Sequence, residues 1–343
     1  MREPPLDLEH TPLGSIPLLP SFKIYAETYK QVNGQPIDAY IYIPKDLPLG
    51  KRPLLVRFHG GAFSEGTCDS WIHPWIFELA LKHGAIMVSP DYRFRPESTL
   101  ADELDDMGDF WTWVATTLPS VLSCPSISPT TPPTPSPSPE LDLTNTAIVG
   151  ESAGGYLTAQ TALLNQTAPP IHLRALLMQY PLLSLARHLS ELEALPETEK
   201  VLISVLEAHL STLKATPGKI VTRVDNGARM ELFGSMVHHG QFVSGGSTLA
   251  VGDANAYLDP MLSLETVRGA VPPTLLFHGR EDTSVTVDKS EEWAEKFRRL
   301  QPDTPFMFVV RDGEEHIFDR DDTLATPWLK EPIEFVERFW PAK

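Results

Sequence analysis

The chain has 343 residues and a formal net charge of −17 at pH 7, with 42% hydrophobic and 21% charged residues. This composition allows one large α/β domain with an accessory lid, or two ordinary domains, and argues against a wholly disordered chain. The acidic balance, without any run of Lys and Arg, argues against binding to nucleic acid or to an anionic membrane surface.

The N-terminal sequence MREPPLDLEH lacks the basic and apolar regions of a secretory signal. No stretch reaches the ~18 consecutive apolar residues of a membrane span. We therefore expect a cytoplasmic protein whose partner is a small-molecule substrate, with no nucleic acid and no membrane involved. Cys68 and Cys124 stand in unlike contexts and predict two free thiols. The oligomeric state stays open, a homodimer included.

Strands and helices alternate along the chain. After an irregular arm over residues 1–20, two apolar segments flank Asn33-Gly34, which is a hairpin signal. Short apolar runs then predict buried strands, and helical spacing predicts helices between them. This alternation favours a mostly parallel sheet that is covered by helices on both faces. The predicted later strands are 54–58, 85–89, 147–149, 173–179, 274–277 and 306–310, and the predicted helices are 73–83, 102–118, one beginning near 153, 289–300 and one from 331.

A motif for nucleophilic catalysis spans Gly150–Gly155, with the sequence GESAGG. A strand that turns abruptly into a helix leaves the central serine in a strained conformation with its hydroxyl exposed, and flanking glycines remove Cβ atoms that would clash. The setting between an apolar strand and an Ala- and Leu-rich helix predicts Ser152 as a nucleophile. The alternative is a glycine-rich turn that packs a structural serine.

The sequence HGGAF at 59–63 directly follows the 54–58 strand. Backbone N–H groups of such a loop can stabilise the oxyanion that forms when a serine attacks a carbonyl. We predict Gly60 and Gly61 as donors, with the N–H of Ala153 as the third, against the alternative of an ordinary glycine turn. We expect His59 to orient the loop rather than to transfer protons.

A serine nucleophile needs a histidine base that is held by a carboxylate. Among the 11 histidines, His316 follows the last predicted strand and also trails an acid, Asp282, in the loop after the preceding strand. The order Ser, acid, His is the one that this kind of sheet uses. Glu281 is the nearest rival acid, and we expect His278 to cap its strand.

These residues resemble the hormone-sensitive-lipase-like carboxylesterase group of the α/β-hydrolase superfamily. The sequence at 59–62 is similar to the HGGG motif of that group, with Ala62 at the third glycine, whose N–H is retained. Asp91–Glu97 (DYRFRPE) is similar to the structural DYRLAPE segment, and Ala256–Pro260 resembles the strand approach after the cap.

The resemblance implies an α/β-hydrolase core over residues 1–183 and 255–343, with a helical cap over 184–254. The Pro-, Ser- and Thr-rich stretch 124–139 is then an inserted loop away from the site, and its deletion is expected to leave turnover of a small ester intact. Phe233, Met236 and Phe242 are candidates to line the cap or simply to pack in it. His238-His239 lacks a companion carboxylate, so we expect no metal site, and the chemistry needs no cofactor.

The sequence therefore predicts hydrolysis of a carboxylic ester, lactone or thioester through an acyl-enzyme on Ser152, with His316 as general base. Two alternatives stay open on the same scaffold: a ligand-binding receptor, and non-hydrolytic catalysis such as dehydration, carbon–carbon cleavage or cyclisation. A biosynthetic or detoxifying role in fungal-type secondary metabolism is a further expectation.

Overall fold

The alternating strands predicted from the sequence meet in one sheet. The structure, a computed structural model, describes residues 1–48, 50–123, 139–243 and 254–342. Within these ranges eight strands pair side by side in the order β1-β2-β4-β3-β5-β6-β7-β8. The strands are β1 (Phe22–Val32), β2 (Gln35–Pro44), β3 (Lys51–Phe58), β4 (Ile86–Pro90), β5 (Glu140–Glu151), β6 (Leu173–Gln179), β7 (Thr274–Gly279) and β8 (Phe306–Arg311).

The sheet is antiparallel at one edge and parallel elsewhere. The hairpin around Asn33-Gly34 is confirmed, because β1 and β2 are antiparallel and Val32 pairs with Gln35. β2 also runs antiparallel to β4, whereas every neighbouring pair from β4 to β8 is parallel. The carboxyl ends of β3, β5, β6, β7 and β8 therefore lie along one edge, which is where open α/β sheets place their sites.

The helices that link the strands mostly follow the predicted ones. The predicted helix 102–118 is divided at Thr117, because Pro119 lacks an N–H and its ring clashes with the carbonyl four residues earlier in a continuous helix. The helices are α1 (Pro74–His83), α2 (Leu100–Thr116), α3 (Leu118–Ser123), α4 (Ala153–Leu163), α5 (Leu185–Glu193), α6 (Ile203–Ala215), α7 (Met230–His238), α8 (Pro260–Thr266), α9 (Val287–Leu300) and α10 (Lys330–Val336).

Each face of the sheet packs against its own layer of helices. Successive residues of β3 alternate between the layers, since Leu54 and Val56 join one buried cluster and Leu55 joins the other. The first cluster contains Trp111 of α2, and the second contains Trp75 of α1. The period-two alternation of side chains thus places an apolar layer on both faces, as the continuous apolar run of β3 predicts.

The segment between β6 and α8 is less helical than the sequence predicts. It contains α5, α6 and α7, but residues 216–229 form an irregular stretch after Pro217-Gly218 ends α6. Backbone groups of this stretch form hydrogen bonds with the core instead. Gly66 and Val224 exchange hydrogen bonds of 2.7 and 3.1 Å, and the Phe94 N–H donates to Val221 O at 2.8 Å. The expectation of a mostly helical segment is wrong here, while the boundaries of the cap stay a prediction.

The segment Ala256–Pro260, which resembles the strand approach after the cap, precedes β7 and contains a helix start. Ala256–Leu258 is a 3₁₀ turn that leads into α8, whose first turn begins at Pro260 and is capped by the Asp259 carboxylate, 2.8 Å from the Met261 N–H. Proline at the first helical position and aspartate before it are ordinary helix-start signals. Cys124 and nearly all of the inserted loop 124–139 lie outside the described residues.

None of the helices in the described ranges combines the length and the apolar character that a membrane crossing requires.

Candidate active site

Ser152 occupies the strained turn that its motif predicts. It lies between β5 and α4 with φ 53° and ψ −116°, and its N–H donates to Gln179 O at 2.9 Å. A Cβ on Gly150 would stand 2.2 Å from Gly154 O, and one on Gly154 would stand 2.0 Å from Phe58 O. Only glycines therefore let strand, turn and helix approach this closely.

Asp282 holds the imidazole of His316. The Nδ1 of His316 is 2.6 Å from Asp282 Oδ2, and Asp282 Oδ1 accepts the N–H groups of Ser284 and Val285 at 2.9 and 2.8 Å. Burial alone would raise the pKa of Asp282, but hydrogen bonds from His278 and His316 outweigh it and hold that pKa well below its usual range. An ionised carboxylate in this position fixes the proton of His316 on Nδ1 and leaves Nε2 as the basic nitrogen.

His278 supports Asp282 instead of capping its strand. Its Nε2 is 2.7 Å from Val285 O and 3.1 Å from Asp282 Oδ2, while its Nδ1 is 2.9 Å from Ser290 Oγ. The rival acid Glu281 is exposed and accepts the Gly313 N–H at 2.7 Å, away from the imidazole of His316.

Ser152 and His316 face the same cavity, which has a volume of about 350 Å³. In the described part of the chain, the Ser152 hydroxyl forms no hydrogen bond with the imidazole. The ring of Tyr180 packs edge-on against His316 with centroids 4.7 Å apart. The structure thus brings Asp282 and His316 into contact, and His316 and Ser152 line one cavity.

The expected oxyanion donors need one correction. The N–H of Gly60 donates to Glu151 Oε1 at 3.1 Å, so this N–H is already engaged. The N–H groups of Gly61 and Ala62 have no acceptor within the described ranges, and both residues line the cavity. Ala153 begins α4, where first-turn N–H groups lack an acceptor within the helix. The available set is therefore Gly61, Ala62 and Ala153.

His59 fixes the loop that carries these donors. Its Nδ1 is 2.7 Å from Gly60 O, its carbonyl accepts the Tyr92 hydroxyl at 2.7 Å, and its ring stacks on that of Tyr92 at 4.3 Å. Burial, together with the nearby charge of Arg57, lowers the pKa of His59 to about 3. A histidine that stays neutral and engaged in this way orients the loop, which agrees with the expectation.

Among the described lining residues, each Arg or Glu side chain has a partner. Arg57, which is fully buried at the end of β3, pairs with Glu151. Glu65 accepts the N–H groups of Gly227 and Arg229 at 2.6 and 2.8 Å. The remaining described surface is largely apolar, with contributions from Phe63, Trp71, Leu182, Met230 and Phe233.

Two further histidines that the sequence did not indicate line this cavity. His73 lies just before α1 and His188 lies on α5, and both are buried. Burial and the charge of Lys289 lower the pKa of His188 to about 4. Neither residue belongs to a recognisable motif, so no local signal marked them.

Two of the three apolar residues that were candidates to line a cap are buried in the core. Met236 and Phe242 are buried in the core, whereas Phe233 reaches the cavity. His238 Nδ1 accepts the Val201 N–H and His239 Nε2 contacts the Val201 carbonyl, each at 2.9 Å. Across the described ranges, His, Cys, Asp and Glu side chains form no group of three or more that could hold a metal ion.

The chain is similar to known esterases over nearly its whole length. A family described as "alpha/beta hydrolase fold" matches residues 55–216, and one described as "Prolyl oligopeptidase family" matches residues 236–340. A probable carboxylesterase M8 of Phoma sp. is 29% identical, over 91% of this chain and 94% of that protein. A probable carboxylesterase clz11 of Cochliobolus lunatus is 30% identical, over 62% and 92%. Among solved structures, a bacterial heroin esterase superimposes with a TM-score of 0.62 at 17% identity, covering 94% and 86%.

Proposed function

Because this chain belongs to the α/β-hydrolase family and is a carboxylic ester hydrolase, we propose that Ser152 is its nucleophile, with His316 as general base and Asp282 as the supporting acid. The observation that supports the proposal is the 2.6 Å contact between His316 and Asp282, in a cavity that the strained Ser152 also lines. The remaining steps follow from this arrangement.

In the first step the Ser152 hydroxyl adds to the ester carbonyl. Its proton passes to Nε2 of His316, because Nδ1 is already committed to Asp282. The carbonyl oxygen becomes an oxyanion that the free N–H groups of Gly61, Ala62 and Ala153 stabilise. The tetrahedral intermediate then expels the alcohol, which takes the proton from His316 and leaves an acyl group on Ser152.

In the second step water replaces the alcohol. His316 Nε2 takes a proton from the water molecule as its oxygen attacks the acyl carbonyl. Collapse of the second intermediate releases the carboxylic acid and returns the proton to Ser152. Each step uses the same base and the same donors, so no cofactor is required.

The cavity supports a neutral, largely apolar ester as the small-molecule substrate. Arg57 is neutralised by Glu151, and the carboxylate of Glu65 would repel an anionic acyl group. A volume of about 350 Å³ accommodates a small aromatic or branched aliphatic ester. The two relatives named above come from fungi, which fits a role in secondary metabolism.

The test is Ser152→Ala with a p-nitrophenyl ester and a fluorophosphonate label. We expect kcat to fall on the order of 10⁶-fold and labelling to disappear, with unchanged circular dichroism. Ser211→Ala, on the exposed face of α6, is the matched control and should keep both. Turnover or labelling that survives Ser152→Ala would overturn the assignment, and wild-type protein that resists the label would favour a receptor.

A further inference from the structure

A second buried histidine–aspartate pair borders the cavity. His73 Nδ1 is 3.1 Å from Asp319 Oδ2, and both side chains are fully buried. Asp319 follows His316 by three residues, so the two pairs meet on one loop. The proposed mechanism makes no use of the second pair.

Asp319 is an ionised acceptor for several donors. It receives hydrogen bonds from Trp75 Nε1 at 2.9 Å, Gln179 Nε2 at 2.8 Å and the Tyr180 hydroxyl at 2.9 Å. Burial would raise the pKa of Asp319, but its contact with His73 and the hydrogen bonds from Trp75 and Tyr180 hold that pKa below its usual range. A carboxylate can only accept, so Nδ1 of His73 carries a proton, and in the neutral imidazole Nε2 then presents a lone pair.

No hydrogen-bond donor of the described residues reaches the Nε2 atom of His73. It is buried, lacks a hydrogen-bond partner in the described part of the chain, and belongs to a side chain that lines the cavity. An unpaired buried acceptor is costly, and native structures seldom retain one without a reason. A ligand that brings a donor into the cavity removes this cost.

His73 is also rigidly connected to the nucleophile. Gln179 donates to Asp319 through its side chain and accepts the Ser152 N–H through its carbonyl, at 2.8 and 2.9 Å. Its amide nitrogen is 3.1 Å from His73 Nδ1. A substrate group that contacts His73 is therefore held at a defined place relative to Ser152.

We propose that His73 is a specificity-determining residue whose Nε2 accepts a hydrogen bond from a hydroxyl group of the ester substrate. The inference deepens the proposed function, since the occupant is the ester that Ser152 attacks. A neutral hydroxyl donor fits this largely apolar lining, in which Arg57 is already paired with Glu151.

A purely structural role is the competing explanation. In that case His73 only joins the start of α1 to the loop that carries His316, and Nε2 contributes nothing to substrate choice. The two explanations differ in what happens when Nε2 is removed while the hydrogen bond to Asp319 is kept.

The experiment compares ester triplets that carry hydrogen, fluorine or hydroxyl at one position of the acyl or alcohol part. The wild-type enzyme is expected to favour the hydroxylated member of at least one triplet by roughly 10- to 100-fold in kcat/KM, and fluorine should not replace it because fluorine cannot donate. His73→Asn keeps a donor for Asp319 but lacks Nε2, so the preference should fall to near one. His73→Gln, whose longer amide reaches the Nε2 position, should restore part of it.

Two results overturn the proposal: wild-type enzyme without preference in any triplet, or His73→Asn with the wild-type preference. If His73→Asn fails to fold, the substitute experiment measures inhibition of the wild-type enzyme by matched product analogues. Equal inhibition by the hydroxyl and fluoro analogues refutes the inference. Loss of turnover of the unsubstituted ester in Ser152→Ala reports on the proposed function separately.

Discussion

The backbone N–H of Gly60 donates to Glu151 Oε1 across 3.1 Å, and this contact ties the loop after β3 to the residue that precedes Ser152. Glu151 also pairs with the buried Arg57, whose Nη1 lies 3.4 Å from Cys68 O. One carboxylate thus holds the oxyanion loop and the nucleophile turn together. The geometry of the site therefore depends on this buried charge pair.

We predict that Glu151→Gln destabilises the fold strongly. The amide keeps the shape of the side chain but removes the charge, which leaves the Arg57 guanidinium buried without its counter-ion. Such a loss costs about 3–5 kcal/mol in the free energy of unfolding, measured by urea titration.

The exposed pair of Arg280 and Asp312 provides the control for this prediction. Asp312→Asn should leave the free energy of unfolding nearly unchanged, because both side chains are solvated. The double variant Arg57→Met with Glu151→Gln should lose less stability than the sum of the single variants. Additive losses would show that the two groups are not energetically coupled.

The glycines offer a matched pair of substitutions. Gly154→Ala should fail to give folded protein, because its Cβ would lie 2.0 Å from Phe58 O. Gly108→Ala, within α2, meets no atom within 4 Å and should raise the free energy of unfolding by about 0.5–1 kcal/mol. Thermal melts of the two variants beside the wild type provide the measurement. A folded, active Gly154→Ala enzyme would contradict the close approach at the turn.

Asp282→Asn should lower kcat on the order of 10⁴-fold with a small effect on KM. The asparagine amide can donate to His316 Nδ1 and so favours the wrong tautomer, in which Nε2 carries the proton. Steady-state kinetics with a p-nitrophenyl ester measure the effect.

Glu281→Gln is the neighbouring control and should stay near wild type, because Glu281 contacts Gly313 rather than the imidazole. If the Glu281 variant lost activity and the Asp282 variant retained it, the acid would have to be reassigned.

His59 gives the fold a defined dependence on pH. Its pKa in the folded state, about 3, lies below the ordinary value of 6.5, so the unfolded chain binds a proton that the folded chain does not between these values. Stability therefore rises with pH through this window and is lost as pH falls from about 6.5 towards 3.

His59→Phe keeps an aromatic ring against Tyr92 and removes the titrating group. Near pH 5 the slope of the unfolding free energy against pH should decrease by about 1.4 kcal/mol per pH unit, which corresponds to one proton. Urea titrations at closely spaced pH values measure the slope, and above pH 7.5 the two proteins should run parallel. An unchanged slope at pH 5 would show that His59 is protonated in the folded state.

Most of the correct predictions came from patterns of residues that are close together in the sequence. The turn at Ser152 was predictable because a strand, two glycines and a helix are adjacent in the sequence. Asp282 and His316 could be selected because each follows a late strand, and parallel strands end at a common edge.

Contacts between distant segments could not be predicted in the same way. His73 and Asp319 are 246 residues apart and belong to no motif. The hydrogen bond between the Gly60 N–H and Glu151 could not be predicted either, because the sequence does not show that these two residues meet. The stretch 216–229 is irregular because its backbone bonds to Gly66 and Phe94 of the core, a tertiary effect that periodicity cannot register.

The stretch 216–229 has a consequence for substrate entry. Val221 and Val224 form backbone hydrogen bonds with the core, and the Gly227 N–H donates to the Glu65 carboxylate, so this wall of the cavity is held in place. We expect little ordering entropy to be lost at this wall when an ester binds. Evolution or design could therefore reshape the entrance at Met230 and Phe233 without loosening the frame that aligns the reacting groups.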